Sequence, residues 1–337
     1  MSFAERGGNA IYSVLPKKLA EMIIFQDKKL IETNFANEQE IEDLTIANSE
    51  HFFGPSSVFI PKAKIKTADG AGTIPDGFAI DLASRNWFIV EAELGHHSVW
   101  THIAPQVTKQ LLAAGRAETR QLLTEILVQM VTNDLQVEEK FEEEGIKQID
   151  IRKVLGEIFE KPPIIGMPID RVTNDLREWA ETLKNDVRLW IVRKYSVFGD
   201  HKVIAYDIPE EYRPVLDTSD SSQESKSGIQ TFDVSLSDLV AAGFLQEGQA
   251  LIHSYKPRGG KNRTFNGNLL KDGSVSVLGQ AFTSPSYAAL ACIQEAGSER
   301  KTVNGWTSWR TKDGRTLAQV RTEYLAQKEE EAQQSGL

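Results

Sequence analysis

Asp76, in the turn Ile74-Pro75-Asp76-Gly77-Phe78, lies a short hairpin away from Glu91 and Glu93 in Trp87-Phe88-Ile89-Val90-Glu91-Ala92-Glu93-Leu94. Residues i and i+2 of a strand share a face, so the spacing predicts that both glutamates point the same way. Three carboxylates gathered at the end of a sheet repel one another unless a hard cation sits between them. All-oxygen ligation suits Mg²⁺, which keeps several waters and needs few protein carboxylates. The chemistry this favours is metal-assisted hydrolysis, of a phosphodiester above all. Each piece also has a plain reading. Pro-Asp-Gly is a common turn, and a Glu-x-Glu pair often marks a solvent-facing strand end. This pair differs because it interrupts an apolar strand of the mid-sheet kind, where carboxylates are rare unless paired or metal-bound.

His96, His97 and His102 follow closely and offer a rival ligand set. With Glu91 or Glu93 they could bind zinc or another transition metal, although the compact HExxH spacing is missing. Second-layer or DNA-contacting roles for His97 and His102 are the simpler alternatives.

The elements that must position these groups are legible in outline. Asn37 to Asn48 reads as a helix with Ile41, Leu44 and Ile46 apolar, and Val58–Lys66 as a strand followed by a turn at Asp69-Gly-Ala-Gly72. Trp87–Leu94 is the strand carrying the glutamates. A long helix from about His102 to Val131, broken near Gly115, has an apolar stripe of Leu111, Leu112, Leu122, Leu123, Ile126, Leu127 and Met130. Strands at Ile164–Ile169, Val187–Tyr195 and Lys202–Ile208, with a helix bearing Leu176, Trp179 and Leu183, complete a mixed α/β order around a central sheet.

The stretch from Pro214 to Gly228 is Ser- and Asp-rich with few large apolar residues, and reads as a linker. The chain therefore divides into residues 1–213, a linker at 214–231, and a smaller module at 232–337. That module reads as α+β. It has a helix at Leu236–Ala242, a strand at Ala250–Ser254 and a hairpin at Asp272-Gly273. A helix at Ser286–Ala296 follows, capped by Ser284 and closed by Gly297, then a turn at Asp313-Gly314 and a final helix from Leu317.

With 337 residues, 40% hydrophobic and 26% charged, the composition is that of an ordinary globular protein. No apolar run is long enough for a membrane span, and the N-terminus, broken by Glu5, Arg6, Lys17, Lys18 and Glu21, lacks a secretion-signal layout. The single cysteine, Cys292, excludes intrachain disulfides and cysteine-based zinc sites and fits a reducing cytoplasm. Net charge is −10, but residues 231–325 hold 11 Lys+Arg against 8 Asp+Glu, so that segment is +3 and the remainder −13. The run Glu138, Glu139, Glu142, Glu143, Glu144 is most simply a solvated helix face.

The order helix-Glu, strand, Pro-Asp, strand, Glu-x-Glu, helix with Gln resembles the PD-(D/E)xK, or restriction-endonuclease-like, nuclease superfamily over about Asn34 to Tyr212. The resemblance implies a mixed central sheet flanked by helices, with Asp76 and Glu91 holding Mg²⁺, for which Mn²⁺ can substitute. Glu93 stands where lysine is usual, as either a third ligand or the acceptor of the attacking water's proton. Gln106 matches a helix glutamine of several branches, and Glu38 the acidic residue of the first helix, with Glu42 one turn later a near-equal candidate. Lys109, a turn beyond Gln106, could supply the missing positive charge or be a solvated surface lysine. The implied activity is endonucleolytic cleavage of double-stranded DNA in restriction or phage defence. Cutting both strands calls for two sites and hence a homodimer.

A second resemblance runs from about Val234 to Tyr324. Leu239-Val-Ala-Ala-Gly-Phe-Leu-Gln-Glu-Gly248, Asp272-Gly273, Phe282-Thr-Ser-Pro-Ser286-Tyr-Ala-Ala289 and Asn304-Gly-Trp-Thr-Ser-Trp309 look like a RAMA domain. Such modules are found fused to restriction enzymes and adenine methylases and are thought to bind DNA, including modified bases. Independently, Lys256, Arg258, Lys261 and Arg263 crowd one glycine-bearing loop, suited to phosphate contact or simply a soluble hairpin tip. Trp306 and Trp309 could stack on a base or anchor a small core.

Overall fold

Every residue from Trp87 to Leu94 is buried, and successive side chains go to opposite faces of the sheet. Trp87 and Ile89 join one core, whereas Phe88, Val90, Ala92 and Leu94 join another on the opposite face. The computed structural model describes residues 22–208, 216–217, 234–257 and 260–335. The chain divides into two compact units, Met1–Ser222 and Gln223–Leu337.

In the first unit a hairpin of β1 (Met22–Phe25) and β2 (Lys28–Thr33) leads into α1 (Glu38–Ala47) and α2 (Ser49–Phe53). Then come β3 (Ser57–Pro61), the small pair β4 (Ile65–Lys66) and β5 (Gly72–Thr73), β6 (Gly77–Asp81) and β7 (Asn86–Val90). A π-helical turn (Val99–Ile103) runs directly into α3 (Ala104–Ala114), followed by α4 (Ala117–Asn133), α5 (Leu135–Glu143) and α6 (Ile151–Glu160). The unit closes with β8 (Ile164–Ile169), α7 (Asn174–Thr182), β9 (Val187–Ile191), β10 (Arg193–Val197), β11 (Asp200–Asp207) and β12 (Leu216–Asp217).

The central sheet has the order β12-β9-β8-β7-β6-β3 and is mixed. β3, β6 and β7 are antiparallel, β7, β8 and β9 are parallel, and β12 returns antiparallel on β9. Residues of α3 to α7 cover one face, with Leu123, Leu127, Phe141, Leu155 and Trp179 in that core. Ile41 of α1 and Phe52 and Phe53 of α2 cover the other, beside Trp190. Parallel strands are normally covered on both faces, and β7–β9 are. A second sheet, β1-β2-β10-β11, stands beside it.

Several boundaries differ from the sequence expectation, each for a physical reason. The strand expected over Val58–Lys66 is two, because Lys62 takes a positive φ of 47° and turns the chain. Val187–Tyr195 also splits: Val192 donates its N–H to Ile169 O, and the chain then leaves for the second sheet. The long helix begins with the π-helical turn and breaks at Gly115 as anticipated. Leu112 and Leu122, assigned to its buried stripe, are exposed. The β1–β2 hairpin went unanticipated because its turn uses Gln26 and Asp27, both at positive φ, where glycine or asparagine is the usual signal. Of the expected linker 214–231, the described residues are Leu216–Asp217, which form the edge strand β12.

The second unit carries an antiparallel meander of β13 (Ala250–Tyr255), β14 (Arg263–Leu269), β15 (Val275–Val277) and β16 (Gln280–Phe282). Around it lie α8 (Leu236–Ala241), α9 (Pro285–Glu295), α10 (Gly305–Ser308) and α11 (Leu317–Ser335). Ser235 and Asp238 form a reciprocal capping box on α8, and Ser284 caps α9 as the Ser-Pro dipeptide predicts.

Candidate metal centre

The register Gly77↔Val90 between β6 and β7 brings Asp76 beside Glu91, at the end of these two neighbouring strands. A Cβ at Gly77 would come within 2.1 Å of the Phe59 ring, so only glycine lets the turn pack this tightly. Asp76 Oδ2 accepts the Ala92 N–H at 2.8 Å, which fixes the carboxylate against β7. Past Val90 the chain stays on the β8 ladder: Glu91 and Glu93 donate their N–H groups to Gly166 O and Pro168 O at 3.1 and 3.0 Å. The alternation set by Trp87 and Ile89 thereby continues, and Glu91 and Glu93 share a face.

Their surroundings differ. Glu91 is buried, and both its oxygens are taken by α3: Gln106 Nε2 donates to Oε2 at 2.7 Å and Gln110 Nε2 to Oε1. Gln110 is fully buried and was missed in the sequence, although its i,i+4 spacing from Gln106 was a usable signal. Glu93 is equally buried but faces imidazoles. Its Oε2 lies 2.9 Å from His97 Nδ1, and its Oε1 3.7 Å from His102 Nε2. Glu38, in the first turn of α1 behind the Asn37 cap, reaches the same His97 Nδ1 at 3.2 Å.

Burial without enough compensating charge dominates the electrostatics. It pushes Asp76 up to about 6, with Glu42 and Glu38 adding repulsion and the Ala92 N–H opposing it. Burial likewise raises Glu91 well above the usual range, reinforced by Asp76 and opposed by the two glutamine amides. Glu93 is pushed up to about 9, first by burial and then by its shared hydrogen bond and charge repulsion with Glu38. Such a cluster is under-neutralised, which is the condition a divalent cation relieves. Asp76 Oδ1 and the remaining lone pairs of Glu91 are oxygen donors of the kind Mg²⁺ takes, so the donor set fits that ion.

Both candidates on α1 face this region. Glu38 meets His97, and the buried Glu42, one turn on, pairs with Lys62 Nζ at 2.8 Å. Lys62 also offsets part of the repulsion on Asp76, though by less than Glu42 or Glu38 adds. Its N–H donates to Asp76 O at 3.1 Å, which explains why the positive-φ turn sits there. Lys109, the sequence candidate for that role, is exposed on α3 and acts on Asp69 instead. Thus Asp76, Glu91, Glu93, Gln106 and Glu38 are brought together, with Gln110, His97, His102, Glu42 and Lys62 added. His96 packs against His97, ring centroids 4.6 Å apart.

In the second unit Lys256, Lys261 and Arg263 are exposed around the β13–β14 turn; Arg258 lies outside the described residues. Arg263 also donates to Glu295 O at 2.8 Å, at the end of α9. The expectation that Trp306 and Trp309 stack on bases meets a steric obstacle. Trp309 is fully buried with its Nε1–H donated to Pro285 O at 2.9 Å, and Trp306 is 8% exposed beneath the Arg321 guanidinium, 4.1 Å from the ring. Both are core anchors. The Ser-Pro-Ser and Asn-Gly-Trp elements in fact pack on each other: Gly305 donates to Ser286 Oγ at 3.1 Å, and a Gly305 Cβ would lie 2.1 Å from Pro285 C.

Among the described residues no helix is long and apolar enough to cross a membrane. Comparison with curated proteins found no match. Residues 217–330 match the family described as Restriction Enzyme Adenine Methylase Associated. That stretch is a RAMA domain, a module whose family description records an association with restriction enzymes and adenine methylases.

Proposed function

We propose that this chain is a Mg²⁺-dependent endonuclease of restriction or phage-defence type that cuts double-stranded DNA. Its RAMA domain would choose the target by base modification. One observation carries the reading: Asp76, Glu91, Glu93, Glu38 and Gln106 converge from four segments at one end of a mixed sheet, in a chain that also holds a RAMA domain. Asp76 and Glu91 would hold the ion, with Mn²⁺ as substitute. A divalent cation bound there supplies a Lewis acid for the phosphate and lowers the pKa of a water.

The chain's own residues do the rest. Gln106 and Gln110 lock Glu91 in one orientation, and the Ala92 N–H does the same for Asp76. Lys62 contributes positive charge beside Asp76 from the turn that ends β3. Glu93 adds a third carboxylate to the same space. Exposed Lys256, Lys261 and Arg263, with Arg258 from the same loop of the sequence, would contact backbone phosphates, and two copies of the chain would cut the two strands. The proposed setting is the cytoplasm.

Glu93 in place of lysine favours a second reading, a nuclease-like fold that binds DNA without cutting it. Incubating the full chain with Mg²⁺ or Mn²⁺ on plain, N6-methyladenine and modified-cytosine DNA separates the two. Metal-dependent cleavage of any of these supports the enzyme. Salt-sensitive binding with no cleavage supports the second reading.

A further inference from the structure

We propose that Glu38, Glu93, His97 and His102 form a second metal site, selective for a first-row transition-metal ion such as Mn²⁺, Co²⁺ or Zn²⁺ over Mg²⁺. One ligand atom from each of the four lies within 4.8 Å of all the others. The separations given for them, 2.9, 3.2 and 3.7 Å, match the edges of a coordination shell. With bonds of about 2.1 Å, neighbouring ligands sit ~3.0 Å apart in octahedral and ~3.4 Å apart in tetrahedral geometry. Two imidazoles and two carboxylates are a mixed nitrogen–oxygen set, which first-row transition ions prefer and Mg²⁺ does not.

The supports are independent of one another. Glu38 comes from the first turn of α1, Glu93 from the extension of β7, His97 from the following loop and His102 from the π-helical turn. That turn is itself a feature often found at functional sites, and here it aims His102 at Glu93. The Glu93 side chain is 2% exposed, whereas those of His97, Glu38 and His102 are 25%, 41% and 48% exposed. One side of the site is therefore closed and the other open to water or a substrate oxygen. Its ligand atoms come from Glu38, Glu93, His97 and His102, and none from Asp76 or Glu91, the pair that would hold Mg²⁺.

The arrangement gives Glu93 a role that explains its presence where the resemblance expects lysine. The positive charge would come from a metal held by Glu93 and not from an ammonium. That catalytic meaning rests on the nuclease reading; the metal site does not.

The test uses the full chain, freed of metal with a chelator and titrated with Co²⁺ alone. The wild type is expected to develop the visible d–d bands of protein-bound cobalt. His97→Ala with His102→Ala should weaken binding at least ~100-fold, since even outer-layer losses cost 10–100-fold. Asp76→Asn takes away any cobalt held by the Asp76–Glu91 pair, and the bands that remain are expected to be lost when His97→Ala and His102→Ala are added to it. No bound-cobalt spectrum in Asp76→Asn, or its survival when the histidine changes are added, overturns the site. Should the double variant fail to fold, pulsed EPR of Mn²⁺ on the wild type decides: imidazole nitrogen couplings support the assignment and their absence overturns it. Cleavage does not enter, so a chain that binds cobalt here but cuts no DNA refutes the nuclease reading and leaves this site standing.

Discussion

Replacing Glu93 by Gln keeps the side chain's shape and removes its ionisation, so the metal-free protein should become less sensitive to alkaline pH. In the folded chain Glu93 is pushed from the ordinary 4.5 up to about 9. Between those values the unfolded chain has released the proton and the folded chain keeps it. Stability is therefore full below pH 4.5 and lost as pH rises toward 9. One proton corresponds to about 1.4 kcal/mol per pH unit, hence about 4 kcal/mol between pH 5 and 8. That is an upper bound, because the cluster relaxes as its charge builds up. For a unit of this size it corresponds to ~8–16 °C in melting temperature. Calorimetry of chelator-treated full-length wild type and Glu93→Gln should show one transition that coincides at pH 5 and separates at pH 8, with the variant the more stable. Asp76 and Glu91 repel Glu93, so the difference reports the charge that Glu93 adds to the whole cluster. Adding Mn²⁺ at pH 8 should raise the wild type more than the variant. Parallel decline of the two proteins across this range would refute the burial argument.

Gln110→Leu conserves volume but leaves Glu91 Oε1 buried without its donor, and should destabilise the first unit by about 1–3 kcal/mol in denaturant unfolding. An unchanged midpoint would show that the glutamine is dispensable. Gly305→Ala forces a Cβ onto the Pro285 and Ser286 backbone and should cost the RAMA domain about 1–3 kcal/mol or more, read as a lowered melting transition. Removing Lys256 and Lys261 together should weaken DNA binding evenly across sequences and flatten the salt dependence of log K by about 2. An unchanged slope would mean that this turn does not touch phosphate.

What could be read from the chain without its structure followed from periodicity and turn chemistry. The α1 helix with its Asn37 cap, the β8 strand and the Ser284-Pro285 start of α9 all carry strong local signals, and each forms where those signals place it. The common face of Glu91 and Glu93 follows from strand alternation alone. What remained hidden depends on distant pairing. Lys62 reaches Glu42 and Asp76 only because a positive-φ residue ends β3, and no glycine marks that turn. His97 and His102 join Glu38 only once α1 is laid across the sheet end, a contact between segments far apart in sequence. The tryptophans looked equally suited to stacking and to a core, and only their burial against Pro285 and Arg321 settles which. Exposed Leu112 shows the converse limit, since an apolar residue in a helical stripe need not be covered.

The most direct measurement is cleavage of plasmid DNA, unmodified and carrying N6-methyladenine or modified cytosine, by the full chain with Mg²⁺ or Mn²⁺. Asp76→Ala serves as the matched control. The proposed function predicts nicked or linear product from at least one substrate with the wild type, strictly dependent on metal, and none with Asp76→Ala of equal melting temperature. Intact plasmid in every arm, or equal cleavage by the variant, would contradict it.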